Sequence, residues 1–250
     1  MSIVLETVGL RKQFGGLTVT NDVSIALASG ERRALIGPNG AGKTTLINLL
    51  TGVLQPTAGS IKLDGIDITQ LSPDRRVRRG LVRTFQINQL FATMTPLETV
   101  GVAIARRIGT AGDPWRRAGR AAEMTDESVA LLERFGLVDV MTERTDTLSY
   151  GRQRLLEIAV AVACGPRVLL LDEPAAGVPE EERAEILAGL DKLPPEVALL
   201  LIEHDMDLVF RFAERISVLV GGALLMEGTV GEVASDPRVR EVYLGEAAHD

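Results

Sequence analysis

The stretch "RRALIGPNGAGKTTLINLLTG", Arg32 to Gly52, decides how the rest of the chain is read. "RRALIG" predicts a short buried strand, and "KTTLINLLTG" predicts a helix that stops at Gly52. Between them Gly37–Thr45, "GPNGAGKTT", fits G-x-x-x-x-G-K-[ST] at every fixed position. Strand, glycine-rich loop and helix in that order form the setting this motif needs. Glycines let backbone N–H groups turn inward around anionic oxygens, and the helix N-terminus adds its dipole. Gly37, Pro38, Asn39, Gly40, Ala41, Gly42, Lys43, Thr44 and Thr45 are therefore candidate contacts to nucleotide phosphates. Lys43 is expected to reach the β and γ phosphates, and the Thr44 hydroxyl to ligate Mg²⁺.

Outward from this loop the pattern alternates. Upstream and just downstream, "IVLETVGL", "VSIALA" and "GSIKLDG" are β-branched or alternating runs closed by glycine and polar turns. "PLETVGVAIARR" and "AAEMTDESVALLERFG" have helical spacing, joined by "IGTAGDPWRRAG". A helix from Tyr150 leads into "VLLLDEP", a continuous apolar run of the kind found in a parallel strand buried on both faces. Helix "EEERAEILAGLDKL", strand "VALLLIEH", helix "MDLVFRFAE" and the hairpin-like "RISVLVGGALLMEG" follow. Strands alternating with helices predict an α/β fold with a parallel-sheet core. Residues 96–150 are expected to form a mainly helical subdomain inserted between core segments 1–95 and 151–250 of a single domain.

Composition narrows the function classes. The 250 residues are 46% hydrophobic and 24% charged, an ordinary globular balance, and the net charge of -7 lacks the basic excess of a nucleic-acid binder. One cysteine, Cys164 in "EIAVAVACG", has no partner for an internal disulfide and reads as a small buried hydrophobe in a reducing compartment. The start "MSIVLETVGLRKQF" lacks the build of a signal peptide, and runs such as "VALLLI" are too short to span a bilayer. Any role at a membrane is expected to come through a partner.

Two acids, Asp172 and Glu173, end the apolar run "VLLLDEP". Strand alternation would send the two side chains in different directions, so that they divide labour. Asp172 is expected to hold Mg²⁺ and Glu173 to polarise the water that attacks the γ-phosphate. Downstream of a phosphate loop, this outweighs a solvated strand end. Less readily explained is "LSYGRQ", Leu148–Gln153, a second Ser-x-Gly loop opening a second helix. Taken alone it is a helix cap.

The phosphate loop, "TFQ", "LSYGRQ", "VLLLDEP" and "IEHD" follow one another in an order and spacing that resembles the nucleotide-binding subunits of ABC transporters. The match covers nearly the whole chain. "FGGLTV", "RTFQINQLFATMTPLETV", "VLLLDEPAAG", "LLIEHDMDLVF" and "REVYLGEA" resemble in particular the ATPases of importers for branched-chain amino acids and related amides, urea or organic acids. The resemblance implies the P-loop NTPase fold of ABC ATPases: a RecA-like core, an N-terminal antiparallel β subdomain and the inserted helical subdomain. It also accounts for "LSYGRQ". In this family two subunits pack head to tail, and Ser149 and Gly151 of one would contact the ATP on the other's phosphate loop. The same resemblance assigns Gln86 to Mg²⁺ and the attacking water, His204 to the γ-phosphate, and Phe14 to the adenine ring, against its use as a core aromatic.

Implied partners are a second ABC ATPase subunit, identical or related, two integral membrane permease subunits, and a periplasmic or extracellular solute-binding protein. The implied location is cytoplasmic, peripheral on the inner face of the cell membrane. Departures from the family pattern stand at Tyr150, at Arg152, which either adds charge near a partner's phosphate or faces solvent, and at Pro179, where many members have Asp. The basic runs "RRVRR" at 75–79 and "RR" at 106–107 and 116–117 read mostly as solvated helix faces, and Trp115 as either a permease contact or local packing. Two competing classes are a soluble non-transport ABC-type ATPase and a P-loop phosphotransferase. The first usually has two cassettes or a long coiled coil, and the second leaves "LSYGRQ" and "IEHD" without a role.

Overall fold

The computed structural model describes residues 2–84, 90–110 and 120–246, in two compact units. The first comprises Met1–Leu81, Arg167–Glu173 and Pro195–Asp250. It opens with an antiparallel sheet in which β1 (Ile3–Phe14) pairs with β2 (Leu17–Val23), β3 (Ala26–Ala28) and β5 (Ala58–Leu63). A short β6 (Ile66–Asp67) closes on β5. The single strand expected over "VSIALA" is broken after Val23. The Thr7 side chain lies at the break, its hydroxyl donating to Val23 O at 3.0 Å and accepting from Ile25 N at 2.9 Å. That buried hydroxyl meets two backbone groups that a continuous ladder would have paired.

The parallel sheet holds β4 (Arg32–Ile36), β8 (Val168–Asp172), β9 (Ala198–Ile202) and β10 (Arg215–Val220) in the order β10-β4-β9-β8. Strand β11 (Ala223–Thr229) returns antiparallel on β10, the hairpin expected from "SVLVGGALL". Every residue of β8 and β9 is buried. On β4, Leu35 packs into one core with Leu46, Leu49, Ile61 and Leu200, while Ala34 and Ile36 pack into another with Val209, Ile216 and Val233. A sheet covered on both faces needs apolar residues at every position, which is why these strands read as unbroken runs. Cα partners Asp172–Ile202 and Ile202–Leu35 bring three neighbouring strands to the same level. Glu173, His204 and Gly37 therefore emerge along one carboxyl edge, where open α/β sheets place their ligands.

Helix α1 (Lys43–Thr51) ends as expected on Gly52, in the left-handed region at φ 80°. Helix α2 (Pro73–Arg78) agrees with the reading of "RRVRR" as mostly solvated, with one exception. Arg75, Arg78 and Arg79 are exposed, but Arg76 is fully buried. Its guanidinium donates to the carbonyls of Leu49 and Leu50, at the last turn of α1, and to those of Thr69 and Leu71. A cation there meets the negative end of the α1 dipole and its orphan carbonyls. Burial pushes its pKa down to about 10, so it stays charged at neutral pH. At β7 (Leu81–Arg83) the chain leaves this unit.

The second unit comprises Val82–Pro166 and Pro174–Pro194. It carries α3 (Pro96–Arg107), α4 (Ala121–Arg134), α5 (Tyr150–Ala163) and α6 (Glu180–Asp191). It thus groups α5 and α6 with the stretch 96–150. The reason is packing: α5 buries Leu155, Leu156, Ile158 and Ala159, and a Cβ at Gly189 of α6 would stand 2.6 Å from Leu155 Cδ2. Without that Cβ the two helices approach closely. In the first unit α7 (Met206–Phe212), α8 (Val230–Ser235) and α9 (Pro237–Glu246) complete the described chain.

Candidate functional site

The phosphate loop leaves β4 at Gly37 and enters α1 at Lys43. Its glycines are required by shape. Gly37, Gly40 and Gly42 have φ of 156°, 77° and 98°. A Cβ at Gly37 would lie 2.1 Å from Leu219 O, and one at Gly42 2.7 Å from Val19 O. The loop is thus pressed against β2 and the β10–β11 turn, with Gly222 N donating to Ala41 O at 2.9 Å. The Lys43 ammonium donates to Gly37 O and, at 3.0 Å, to Pro38 O. It is held at the mouth of the loop, where phosphate oxygens offer it stronger acceptors than carbonyls. Thr44 is exposed and Thr45 half-buried at the start of α1.

At the end of β8, Asp172 is 7% exposed and is the last residue of the strand. Glu173 lies beyond it with φ 46°, one of three non-glycine residues with positive φ among the described residues, and its N–H donates to Ile202 O at 3.0 Å. The two acids therefore part at a left-handed backbone turn, where sequence reasoning had invoked the pleat of a continuing strand. Such a conformation costs about 1–3 kcal/mol and persists at positions where the surroundings impose it. The turn leaves the Glu173 side chain 23% exposed, with Oε1 3.7 Å from His204 Nδ1. That distance exceeds a hydrogen bond and is within ion-pair reach when the imidazole is protonated. His204 follows β9, with its side chain 68% exposed. Glu203 before it is buried, and its Oε2 accepts from His204 N at 3.3 Å.

Phe14, at the end of β1, is 48% exposed and has the Lys12 ammonium 5.1 Å from its ring centroid. It is not a core aromatic, and a half-exposed ring is available for stacking. Gln86 and Trp115 lie outside the described residues.

In the second unit Ser149 is the N-cap of α5, and its Oγ accepts from Arg152 N at 3.4 Å. The Ser149 hydroxyl and the Gly151 N–H both donate to Glu182 Oε2, at 3.2 and 2.6 Å. Arg152 forms an ion pair with Asp139 at 2.9 Å. Pro179 is the N-cap of α6 and supplies no side-chain cap. Sequence reasoning did not single out Glu182 or Gly222. The glycine had a signal in the "GG" of the hairpin turn. The glutamate had only its place in a run of three acids.

No group of three or more acids, histidines or cysteines able to cage a metal exists among the described residues. Thr44 and Asp172 are hard oxygen donors. A hard divalent ion bound by one or two protein oxygens together with substrate phosphates fits such a set. No helix among the described residues is long and apolar enough to cross a membrane.

The family model described as ABC transporter matches residues 20–176. One described as branched-chain amino acid ATP-binding cassette transporter matches residues 223–249. BraF of Pseudomonas aeruginosa, a high-affinity branched-chain amino acid transport ATP-binding protein, is 43% identical over 98% of this chain and 98% of its own length. LivG of Escherichia coli K12, of the same description, is 40% identical over 98% of each. Among solved structures, a nucleotide-free ATP-binding cassette from an ABC transporter has a TM-score of 0.82 at 31% identity, covering 97% of this chain and 99% of that one. A cassette in its ADP conformation gives 0.83 at 31% identity over 98% and 100%. The phosphate loop, the paired acids at the end of β8 and these full-length similarities agree: the chain belongs to the ABC transporter family, as one of its ATP-hydrolysing cassettes.

Proposed function

We propose that this cassette energises import of branched-chain amino acids, working as one of two paired ATPase subunits beneath two membrane-spanning permease subunits on the cytoplasmic face. An external binding protein delivers the solute. The observation that carries the reading is the common edge of β4, β9 and β8, which gathers the phosphate loop, His204 and the Asp172–Glu173 pair. The BraF and LivG similarities support the solute class.

In this reading Phe14 stacks on adenine, and the inward N–H groups of Gly37–Thr45 hold the phosphates. Lys43 exchanges its loop carbonyls for β and γ oxygens. Glu173 orients and polarises the attacking water, and its backbone turn aims the carboxylate away from the strand. His204 contacts the γ-phosphate. Thr44 and Asp172 would hold Mg²⁺, with Gln86 joining them, and that ion supplies neutralisation of charge on the phosphate oxygens. Ser149 and Gly151 close over the nucleotide of the opposite subunit. Loss of the γ-phosphate then removes the charge that joins the pair.

Glu173→Gln tests the assignment. The variant is expected to bind ATP and to lose at least about 100-fold in turnover, the usual worth of a positioned general base. Ordinary turnover in that variant would remove Glu173 from the mechanism.

A further inference from the structure

We infer that Glu182 is a carboxylate latch: it occupies the donors of the Ser149 loop and must be displaced by the γ-phosphate of the opposite subunit's ATP. The inference rests on the assignment of Ser149 and Gly151 to that phosphate, and it adds a control on the same site. An amide N–H carries one hydrogen, and that of Gly151 is committed to Glu182 Oε2 at 2.6 Å. The Ser149 hydroxyl hydrogen is directed to the same oxygen at 3.2 Å. Its lone pairs meanwhile accept from Arg152 N at 3.4 Å. The carboxylate is thus an anion seated on the N-terminus of a helix of 14 residues, where a phosphate oxygen is to sit. Two anions cannot share these donors, because each hydrogen bonds one of them and like charges repel at such range.

The sequence explains why this glutamate is available. Glu182 is the third residue of α6, the position from which a glutamate normally reaches back to the N-cap N–H of its own helix. Glu98 does this to Thr95 at 2.9 Å, and Glu232 to Thr229 at 2.7 Å. The N-cap of α6 is Pro179, which has no N–H to offer. Denied its local partner, Glu182 turns to the first turn of α5. Gly151 makes the approach possible, since a Cβ there would stand 2.2 Å from Glu182 Oε2. Proline at 179 and glutamate at 182 thereby act together: one frees the carboxylate and the other lowers the readiness of the loop for nucleotide.

The test measures ATP-dependent dimerisation of the full chain by light scattering, in the Glu173→Gln background, alongside turnover in the otherwise unaltered chain. Glu182→Ala is expected to lower the half-maximal ATP concentration for dimerisation by about three- to tenfold, the net scale of one hydrogen bond exchanged against water at a solvent-accessible site. Glu182→Gln, which keeps the shape and an acceptor but not the charge, is expected to fall between Ala and Glu. It carries the test alone should the alanine variant fail to fold. Turnover at saturating ATP is expected to stay within about twofold, since displacement is then complete. A half-maximal concentration that is unchanged or raised in both variants overturns the latch. Ser149→Ala separates this from failure of the underlying assignment. If it dimerises and turns over normally, the loop does not receive the phosphate and the latch falls with it. If Ser149→Ala is impaired while the Glu182 variants gain nothing, the latch alone is refuted.

Discussion

Replacing Arg76 with alanine removes a fully buried cation whose Nε, Nη1 and Nη2 donate to four carbonyls at 2.6–3.0 Å. Two of these, of Leu49 and Leu50, belong to the last turn of α1, which has no basic residue of its own there. Each hydrogen bond from a charged donor is worth roughly 1.5–3 kcal/mol, and the four are not additive because water entering the gap re-satisfies part of the set. A carbonyl left without its donor costs about 1–3 kcal/mol, and with water restoring part of the four a net loss of about 3–5 kcal/mol is expected. For a chain of this size that lowers Tm by roughly 10 °C, at ~2–4 °C per kcal/mol. Thermal unfolding followed by circular dichroism reads it directly, with Arg75→Ala, at an exposed neighbour, as the control expected within about 1–2 °C. Arg76→Lys should lie between the two, since an ammonium cannot reproduce the guanidinium fork. A shift in Arg76→Ala no larger than the control would refute the capping role.

Gly42→Ala is expected to abolish ATP binding, because φ 98° and a Cβ 2.7 Å from Val19 O force the loop off β2; isothermal titration with ATP checks it. Phe14→Ala should leave Tm within about 2 °C, as an exposed ring contributes little to the core, yet weaken binding of ATP more than of inorganic triphosphate. Alkylation of Cys164 should be slow at pH 8 and accelerate only as the pH rises past the ordinary thiol range. Burial raises its pKa against the opposing charge of Arg107, so the reactive thiolate is scarcer than in the unfolded chain.

Much of this architecture was legible because its determinants are local. The helix ending at Gly52, the apolar runs of β8 and β9, and the hairpin around Gly221–Gly222 lie where period and turn chemistry put them. What escaped depends on contacts distant in sequence. Nothing in "RRVRR" distinguishes Arg76, since its burial is set by carbonyls up to 27 positions away. The break in "VSIALA" depends on the Thr7 hydroxyl, and the turn at Glu173 on a bond to the neighbouring strand at Ile202. Glu182 illustrates the limit best. Its local rule, a glutamate three residues after an N-cap, points to a capping box, and only the absence of an N–H at Pro179 shows that the rule cannot apply.

The proposed mechanism shares hydrolysis between paired subunits, so in a pair of identical copies turnover depends on encounter. ATPase activity per subunit, followed at saturating ATP over a dilution series of the isolated chain, tests this most directly. Specific activity is expected to climb with protein concentration and to level off once pairs dominate. A flat profile reaching into dilutions where light scattering finds only monomers would contradict it, and would place the whole reaction within one chain.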